Sequence, residues 1–161
     1  MCWINYSKRY GKSSEVDLTL VGLNNEVYHN STTGNTKVIA VGGRNYIEKK
    51  GRTLNDYSIG NLEVEVAGLR NNVLHMTRYG DTIVSGAAVS SKITRIGEEG
   101  NATIFGIGVS NEVDIQMKRG HLDFTGGGAY NKINIKAIED GIFSNKTITV
   151  ESGGKGIKAG L

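Results

Sequence analysis

The sequence predicts an all-β chain folded as a single β-solenoid of about six coils, each about 20 residues long. Three observations predict this fold: a short motif that recurs at a fixed spacing, a second glycine that keeps its distance from each motif, and a strand-like alternation of polar and apolar residues. The composition agrees, because glycine makes up 23 of 161 residues and proline is absent. A chain without proline keeps every backbone N–H available for a hydrogen-bonded ladder.

The recurring motif is Gly or Ala, two residues, Asn or Ser, one residue, and then Val or Ile. It begins at residues 22, 42, 68, 88, 108 and 128, so successive spacings are 20, 26, 20, 20 and 20. Stacking such short units about 4.8 Å apart should bury a row of Val and Ile and align the asparagines as an amide ladder. The positions assigned to the structural repeat are Gly22, Asn25, Val27, Gly42, Asn45, Ile47, Gly68, Asn71, Val73, Ile93, Gly108, Asn111, Val113, Gly128, Asn131 and Ile133.

A second glycine follows most motif starts by 12 residues, and we predict that these glycines supply positive-φ corners between extended segments. In the second unit this glycine is Gly60, six residues late, which places an insertion around Arg52 to Asp56. In the sixth unit it slips one place to Gly141. The regular members are Gly34, Gly80, Gly100 and Gly120. Whether two or three strands make a coil stays open at this point.

The pattern divides the chain into three parts. Residues 1–17 are predicted to be an N-terminal cap, since Trp3, Tyr6 and Tyr10 can cover the first coil. Residues 18–146 hold the six repeats. The register fades after Ser144, so residues 147–161 are interpreted as a C-terminal cap or a truncated continuation.

Charged residues alternate in sign between equivalent repeat positions. One column holds Arg78, Glu98 and Lys118, and the adjacent column holds Glu99, Arg119 and Glu139. Stacking would place opposite charges one coil apart, where exposed pairs contribute about 0–1 kcal/mol each.

Composition argues against several functional classes. The net charge of +3, with both signs mixed along the chain, does not favour a nucleic-acid partner. The single cysteine, Cys2, cannot form an internal disulfide. No run of 18 apolar residues exists.

No metal or other cofactor is expected. His29 and His75 share one repeat position two coils apart, about 9.6 Å, which is too far for one metal to bridge. We therefore interpret them as surface or corner side chains. A column of Asn35, Asn61, Asp81, Asn101 and His121 is interpreted as stabilising turns and not as binding calcium.

The carboxylates do not form a catalytic pattern, and no catalytic residue is assigned. Glu112, Asp114 and Asp123 are scattered, and Asp123 and His121 lie near Lys118 and Arg119 at one corner of a repeat. We interpret this corner as a solvated, charge-alternating edge. A groove holding Asp114 or Asp123 opposite basic residues would instead indicate a carbohydrate-active β-helix.

The repeat resembles the glycine-rich repeats of multifunctional-autoprocessing RTX (MARTX) toxins. The resemblance is carried by segments such as Gly108-Val-Ser-Asn-Glu-Val and Gly120-His-Leu-Asp-Phe-Thr-Gly-Gly-Gly-Ala-Tyr-Asn-Lys-Ile133, and it covers residues 20–144. It implies a non-enzymatic, secreted or cell-surface bacterial segment that contacts a host membrane or surface component and supports effector delivery. Further repeats of the same polypeptide, or another copy, are the other implied partners. The RTX calcium nonapeptide is not intact here, so calcium binding is not carried over.

A different functional class remains open beside this one. The chain would also suit a surface adhesin or filament segment that binds glycan or protein. A flat exposed face holding Tyr28, Tyr46 and Tyr130 would favour that class.

Overall fold

A computed structural model describes residues 4–53, 56–120, 122–127, 132–137 and 158–160, and they form a parallel β-solenoid of stacked coils. The predicted fold class is confirmed. Within this described part the strands are β1 (Ile4–Ser13), β2 (Val16–Val21), β3 (Asn24–Thr33), β4 (Thr36–Lys50), β5 (Ser58–Ile59), β6 (Leu62–Tyr79), β7 (Thr82–Glu99), β8 (Ala102–Gly108), β9 (Glu112–Arg119), β10 (Leu122–Gly127), β11 (Lys132–Ala137) and β12 (Lys158–Gly160).

Each coil has two extended arms, which answers the question that the sequence left open. The first arms include β2, β8 and β10, and the second arms include β3, β9 and β11. Strands β4, β6 and β7 each contain both arms, because the backbone keeps pairing with the next coil around the corner between them. Neighbouring coils are joined by parallel pairing throughout the described strands, so each coil is the template for the next.

The interior of the solenoid is built from columns of residues one repeat apart. Backbone pairing aligns Val27, Ile47, Val73, Ile93, Val113 and Ile133 in one continuous register. The first five side chains of this column are buried. The opposite arm supplies Val38, Val64, Val84 and Ile104, which are buried in the same core cluster. Alternate residues of both arms therefore face one shared apolar core, as the period-two pattern predicted.

The predicted glycine corners are confirmed for one of the two glycine positions. Gly34, Gly60, Gly80, Gly100 and Gly120 all have positive φ, between 123° and 152°. The glycines of the motif itself differ, since they are absent from the positive-φ set of the described residues. At the motif glycines a side chain is excluded because the backbone of the neighbouring coil lies too close. A Cβ at Gly42 would lie 1.8 Å from the carbonyl oxygen of Gly22.

The insertion interrupts the regular ladder, whereas the described strands near the two chain ends continue it. The ladder stops at Lys50 and resumes at Ser58, so the insertion lies where the displaced glycine predicted it. At the N-terminus, β1 pairs with β3 at the same 20-residue offset, Asn5 opposite Asn25, so the segment predicted to be a cap carries the ladder itself. At the other end, β12 pairs with β11, while Gly141 and most of 147–161 lie outside the described residues.

Candidate functional site

The asparagines of the motif form a hydrogen-bonded amide ladder inside the corner between the two arms. The Nδ2 atom of each residue donates to the side-chain oxygen one coil on, at 2.8 Å from Asn5 to Asn25, 2.7 Å from Asn25 to Asn45 and 2.8 Å from Asn45 to Asn71. The fourth step is longer, because Ser91 replaces asparagine and its Oγ lies 3.4 Å from the Asn71 amide. Asn131 lies outside the described residues. The ladder satisfies buried amides and fixes coil register, which is a structural role.

A column of basic side chains lies inside the solenoid, and sequence reasoning missed it. His29, Lys49, His75 and Arg95 occupy successive coils, and each is fully buried. The interpretation of the two histidines as surface or corner side chains is therefore wrong. The signal was present in the sequence: each residue lies two places after the buried Val or Ile, and so shares its face of the strand.

The buried cations are explained by the carbonyl groups of the glycine corners. Lys49 Nζ donates to the Gly34 carbonyl at 2.6 Å, and Arg95 Nη2 donates to the Gly80 carbonyl at 3.0 Å. A buried carbonyl without a donor would cost about 1–3 kcal/mol, so the basic side chains stabilise the corners. This structural role explains why basic side chains are buried here, and no bound ligand is needed to explain them.

Burial lowers the pKa values of the side chains in this column, because it disfavours their charged forms. It lowers the pKa of Lys49 to about 8 and that of Arg95 to about 10. The pKa of His29 falls to about 4, through burial and then through the charges of Lys49 and Arg9. The pKa of His75 is lowered well below its ordinary value by burial, Lys49 and Arg95, and its Nε2 atom has no hydrogen-bond partner.

The turn column has the stabilising role that the sequence predicted. The side-chain oxygens of Asn35, Asn61 and Asp81 each accept a hydrogen bond from the backbone N–H one coil on, at 2.9, 2.9 and 2.7 Å. His121 lies outside the described residues. Among the residues that the structure describes, no group of three or more His, Cys, Asp or Glu is arranged to hold a metal ion.

Exposed charges pair between coils as the alternating columns predicted. Arg78 Nε lies 3.8 Å from Glu98, and Arg119 Nη1 lies 3.4 Å from Glu99. Glu139 lies outside the described residues.

Two of the three carboxylates that were considered for catalysis, Glu112 and Asp114, are also paired. Glu112 contacts Lys92 at 3.3 Å and Lys132 at 3.2 Å. Hydrogen bonds from the two lysines lower the pKa of Glu112, whereas a general acid needs a raised pKa. Asp114 also faces Lys92, at 3.7 Å, and it accepts from the amide of Asn134.

A row of tyrosines crosses the outer face of the second arms near the insertion. The ring centroids of Tyr6 and Tyr28 are 5.7 Å apart, and those of Tyr28 and Tyr46 are 5.3 Å apart. Tyr28 and Tyr46 thus share a face and are half-buried, while Tyr130, the third tyrosine of the exposed face that would favour an adhesin, lies outside the described residues. A groove of about 480 Å³ opens beside this row. It is lined by Tyr6, Lys8, Tyr10, Tyr28, Asn30, Glu48, Lys50, Arg52 and Thr53.

An apolar ridge runs along the corner that joins the two arms. We define the ridge as the residue after the first motif position in four units: Leu23, Leu69, Val89 and Val109. Their exposed fractions are 52%, 62%, 54% and 44%. Val21 and Val41, at the end of the first arm, extend the exposed apolar surface. Isolated exposed aliphatic residues are ordinary, but an aligned row of them indicates an interaction surface.

No protein-family model, curated protein or solved structure matches this chain. The described residues contain no helix long and apolar enough to cross a membrane.

Proposed function

We propose that this chain is a non-enzymatic segment of a secreted bacterial protein, a rigid β-solenoid that contacts a host membrane surface through the apolar ridge. The observation that carries the proposal is the alignment of Leu23, Leu69, Val89 and Val109 on one corner. They belong to the first, third, fourth and fifth repeat units, with Gly43 at this position in the second, so at about 4.8 Å per coil the ridge extends about 19 Å from Leu23 to Val109. Aliphatic side chains at that spacing can enter the headgroup region together.

Basic residues beside the ridge support contact with an anionic surface. Arg70 follows Leu69 directly, and Arg44 occupies the equivalent position one coil away. Both arginines are exposed, and neither forms an ion pair of 4.0 Å or less in the described part of the chain. Each basic residue near an anionic leaflet contributes about 1 kcal/mol of attraction. The resemblance of the repeat to glycine-rich toxin repeats points to the same kind of surface.

Vesicle binding tests this proposal. The protein should co-sediment with vesicles of phosphatidylcholine and phosphatidylserine, and more weakly with phosphatidylcholine alone. Replacing Leu23, Leu69 and Val89 together by Ser should reduce binding about tenfold or more, because three exposed apolar groups no longer enter the interface. The matched control is Ile83→Ser, which changes an aliphatic residue of 45% exposure on a different face. Equal binding by the triple variant and the native chain would contradict the proposal.

A glycan-binding surface segment is the second candidate. It is favoured by the tyrosine row, in which three rings on successive coils lie side by side with mutual tilts of 49° and 38°. This candidate uses a different part of the molecule from the ridge, so the two are separable by substitution.

A further inference from the structure

We propose that the groove beside the insertion binds an acidic saccharide, a chain of sugars that carry carboxylate groups. This inference rests on the second candidate function, glycan binding, and names its ligand class. The groove has a volume of about 480 Å³, which lies within the range of small-molecule sites. It also lies where the regular ladder is interrupted between Lys50 and Ser58, and Arg52 and Thr53 of this interval line it.

Aromatic rings supply the platform. Tyr6 and Tyr10 are more than half exposed on the terminal coil, and Tyr28 lies on the next coil. The Tyr28 hydroxyl donates to Glu26 at 3.3 Å, and the Tyr46 hydroxyl donates to Glu48 at 2.9 Å. These hydrogen bonds hold Tyr28 and Tyr46 in place before any ligand arrives. Held rings lose little conformational entropy on binding, so they are suited to stack against the flat apolar faces of sugar rings.

The charges of the groove select an anion. Three cations line it, Lys8, Lys50 and Arg52, against a single carboxylate, Glu48. Glu48 is already paired with Lys50 at 2.9 Å, and both residues are buried. Lys8 lies over the Tyr10 ring at 4.9 Å, and Arg52 has no ion pair of 4.0 Å or less among the described residues. Lys8 and Arg52 are therefore the two groove cations that are available to bind ligand carboxylates.

Polar side chains also line the groove. Thr53 contributes a hydroxyl, and Asn30 lies at the wall with 7% of its surface exposed. Sugar hydroxyls can exchange hydrogen bonds with such groups, whereas the acyl chains of a lipid cannot. Rings, cations and polar side chains thus favour a saccharide over a lipid surface.

Calorimetric titration with a tetramer of galacturonic acid and with the neutral tetramer of galactose tests the inference. The acidic tetramer should bind, and the neutral one at least tenfold more weakly. Tyr6→Ala and Arg52→Gln should each weaken binding about tenfold, through loss of stacking and of a charge-assisted hydrogen bond respectively. The controls Tyr79→Ala and Arg78→Gln change an exposed tyrosine and an exposed arginine elsewhere, and should bind like the native chain.

Three results would overturn the inference: no binding of the acidic tetramer at millimolar concentration, equal binding of both tetramers, or unchanged affinity of both groove variants. Loss of vesicle binding in Tyr6→Ala and Arg52→Gln would also overturn it, because the groove would then recognise a lipid headgroup. Retained saccharide binding by the serine variant of the ridge is expected. The failure of this inference is therefore distinguishable from the failure of membrane contact.

Discussion

The side-chain amide of Asn25 donates to the side-chain oxygen of Asn45 at 2.7 Å, across one full coil of the solenoid. The same Nδ2 atom also donates to the Val41 carbonyl at 3.1 Å. Each asparagine therefore binds both the corner backbone and the next asparagine, so that the ladder joins local structure to long-range register. A slip of one residue between coils would break every amide contact at once.

Replacing one rung should destabilise the whole stack. In Asn45→Ala, the Asn25 amide loses one of its two acceptors, the Asn71 oxygen loses its donor, and the Ala67 carbonyl loses a contact of 3.2 Å. We expect the free energy of unfolding to fall by about 2–4 kcal/mol, because buried polar groups are left without partners. Urea denaturation measures this change. Asn72→Ala, on the outer side of the same strand, is the control and should change it by less than about 0.5 kcal/mol.

The break in the ladder at Ser91 should be repairable. The Asn71 amide reaches Ser91 Oγ only at 3.4 Å, and a gap of about 20 Å³ is lined by Ser91, Asn111 and neighbouring core residues. Ser91→Asn should raise the free energy of unfolding by about 0.5–1 kcal/mol, since it extends an existing row of hydrogen bonds. Thermal unfolding would record this as a higher midpoint. Ser90→Asn, at the adjacent outward position, should leave the midpoint unchanged, and a lower midpoint for Ser91→Asn would contradict the repair.

The sequence was most informative where one chemical requirement is repeated in every coil. The spacing of Asn25, Asn45 and Asn71 predicted the ladder, because each copy of the motif places an asparagine at the same position of its coil. The displaced Gly60 likewise predicted where the insertion interrupts the pairing. Periodicity of this kind carries the register of a solenoid directly.

Two features whose residue types change from coil to coil were not predicted, the buried basic column and the tyrosine groove. The basic column contains His29, Lys49 and Arg95 at one position, and a search for a recurring residue type does not group them. Lys49 and Arg95 share one task, donation to the carbonyls of the glycine corners, and this task depends on side-chain chemistry and is not visible as residue identity. The tyrosine groove was missed for a related reason, since it combines side chains of Tyr6 and Tyr28 with the insertion residue Arg52. Such proximity follows from stacking and not from local sequence.

The glycine corners should tolerate no side chain. At Gly60, φ is 129° and a Cβ would lie 2.2 Å from the Gly34 carbonyl oxygen, so Gly60→Ala adds backbone strain to a direct clash. We expect a loss of about 2 kcal/mol or more in the free energy of unfolding. At Gly11 a Cβ would meet its nearest neighbour at 3.6 Å. Gly11→Ala should therefore be close to neutral, and an equal effect of both substitutions would contradict the corner argument.

Acid should weaken the fold through the buried histidines. The folded-state pKa values of His29, about 4, and of His75 lie below the unfolded value near 6.5, so below pH 6.5 the unfolded chain binds protons that the folded chain excludes. The stability that depends on these two histidines staying neutral is therefore fully present above pH 6.5 and falls as the pH decreases. Lys49, Arg9 and Arg95 face the two rings and deepen the effect, while Glu15 opposes it at His29.

The measurement is the free energy of unfolding at pH 7 and at pH 5. We expect a loss of about 1–3 kcal/mol over this range, and the double replacement of His29 and His75 by Gln should remove most of that difference. The chosen range avoids the titration of Glu112, whose pKa is lowered by Lys132 and Lys92. If the double variant loses as much stability as the native chain between these pH values, the acid sensitivity does not come from the buried column.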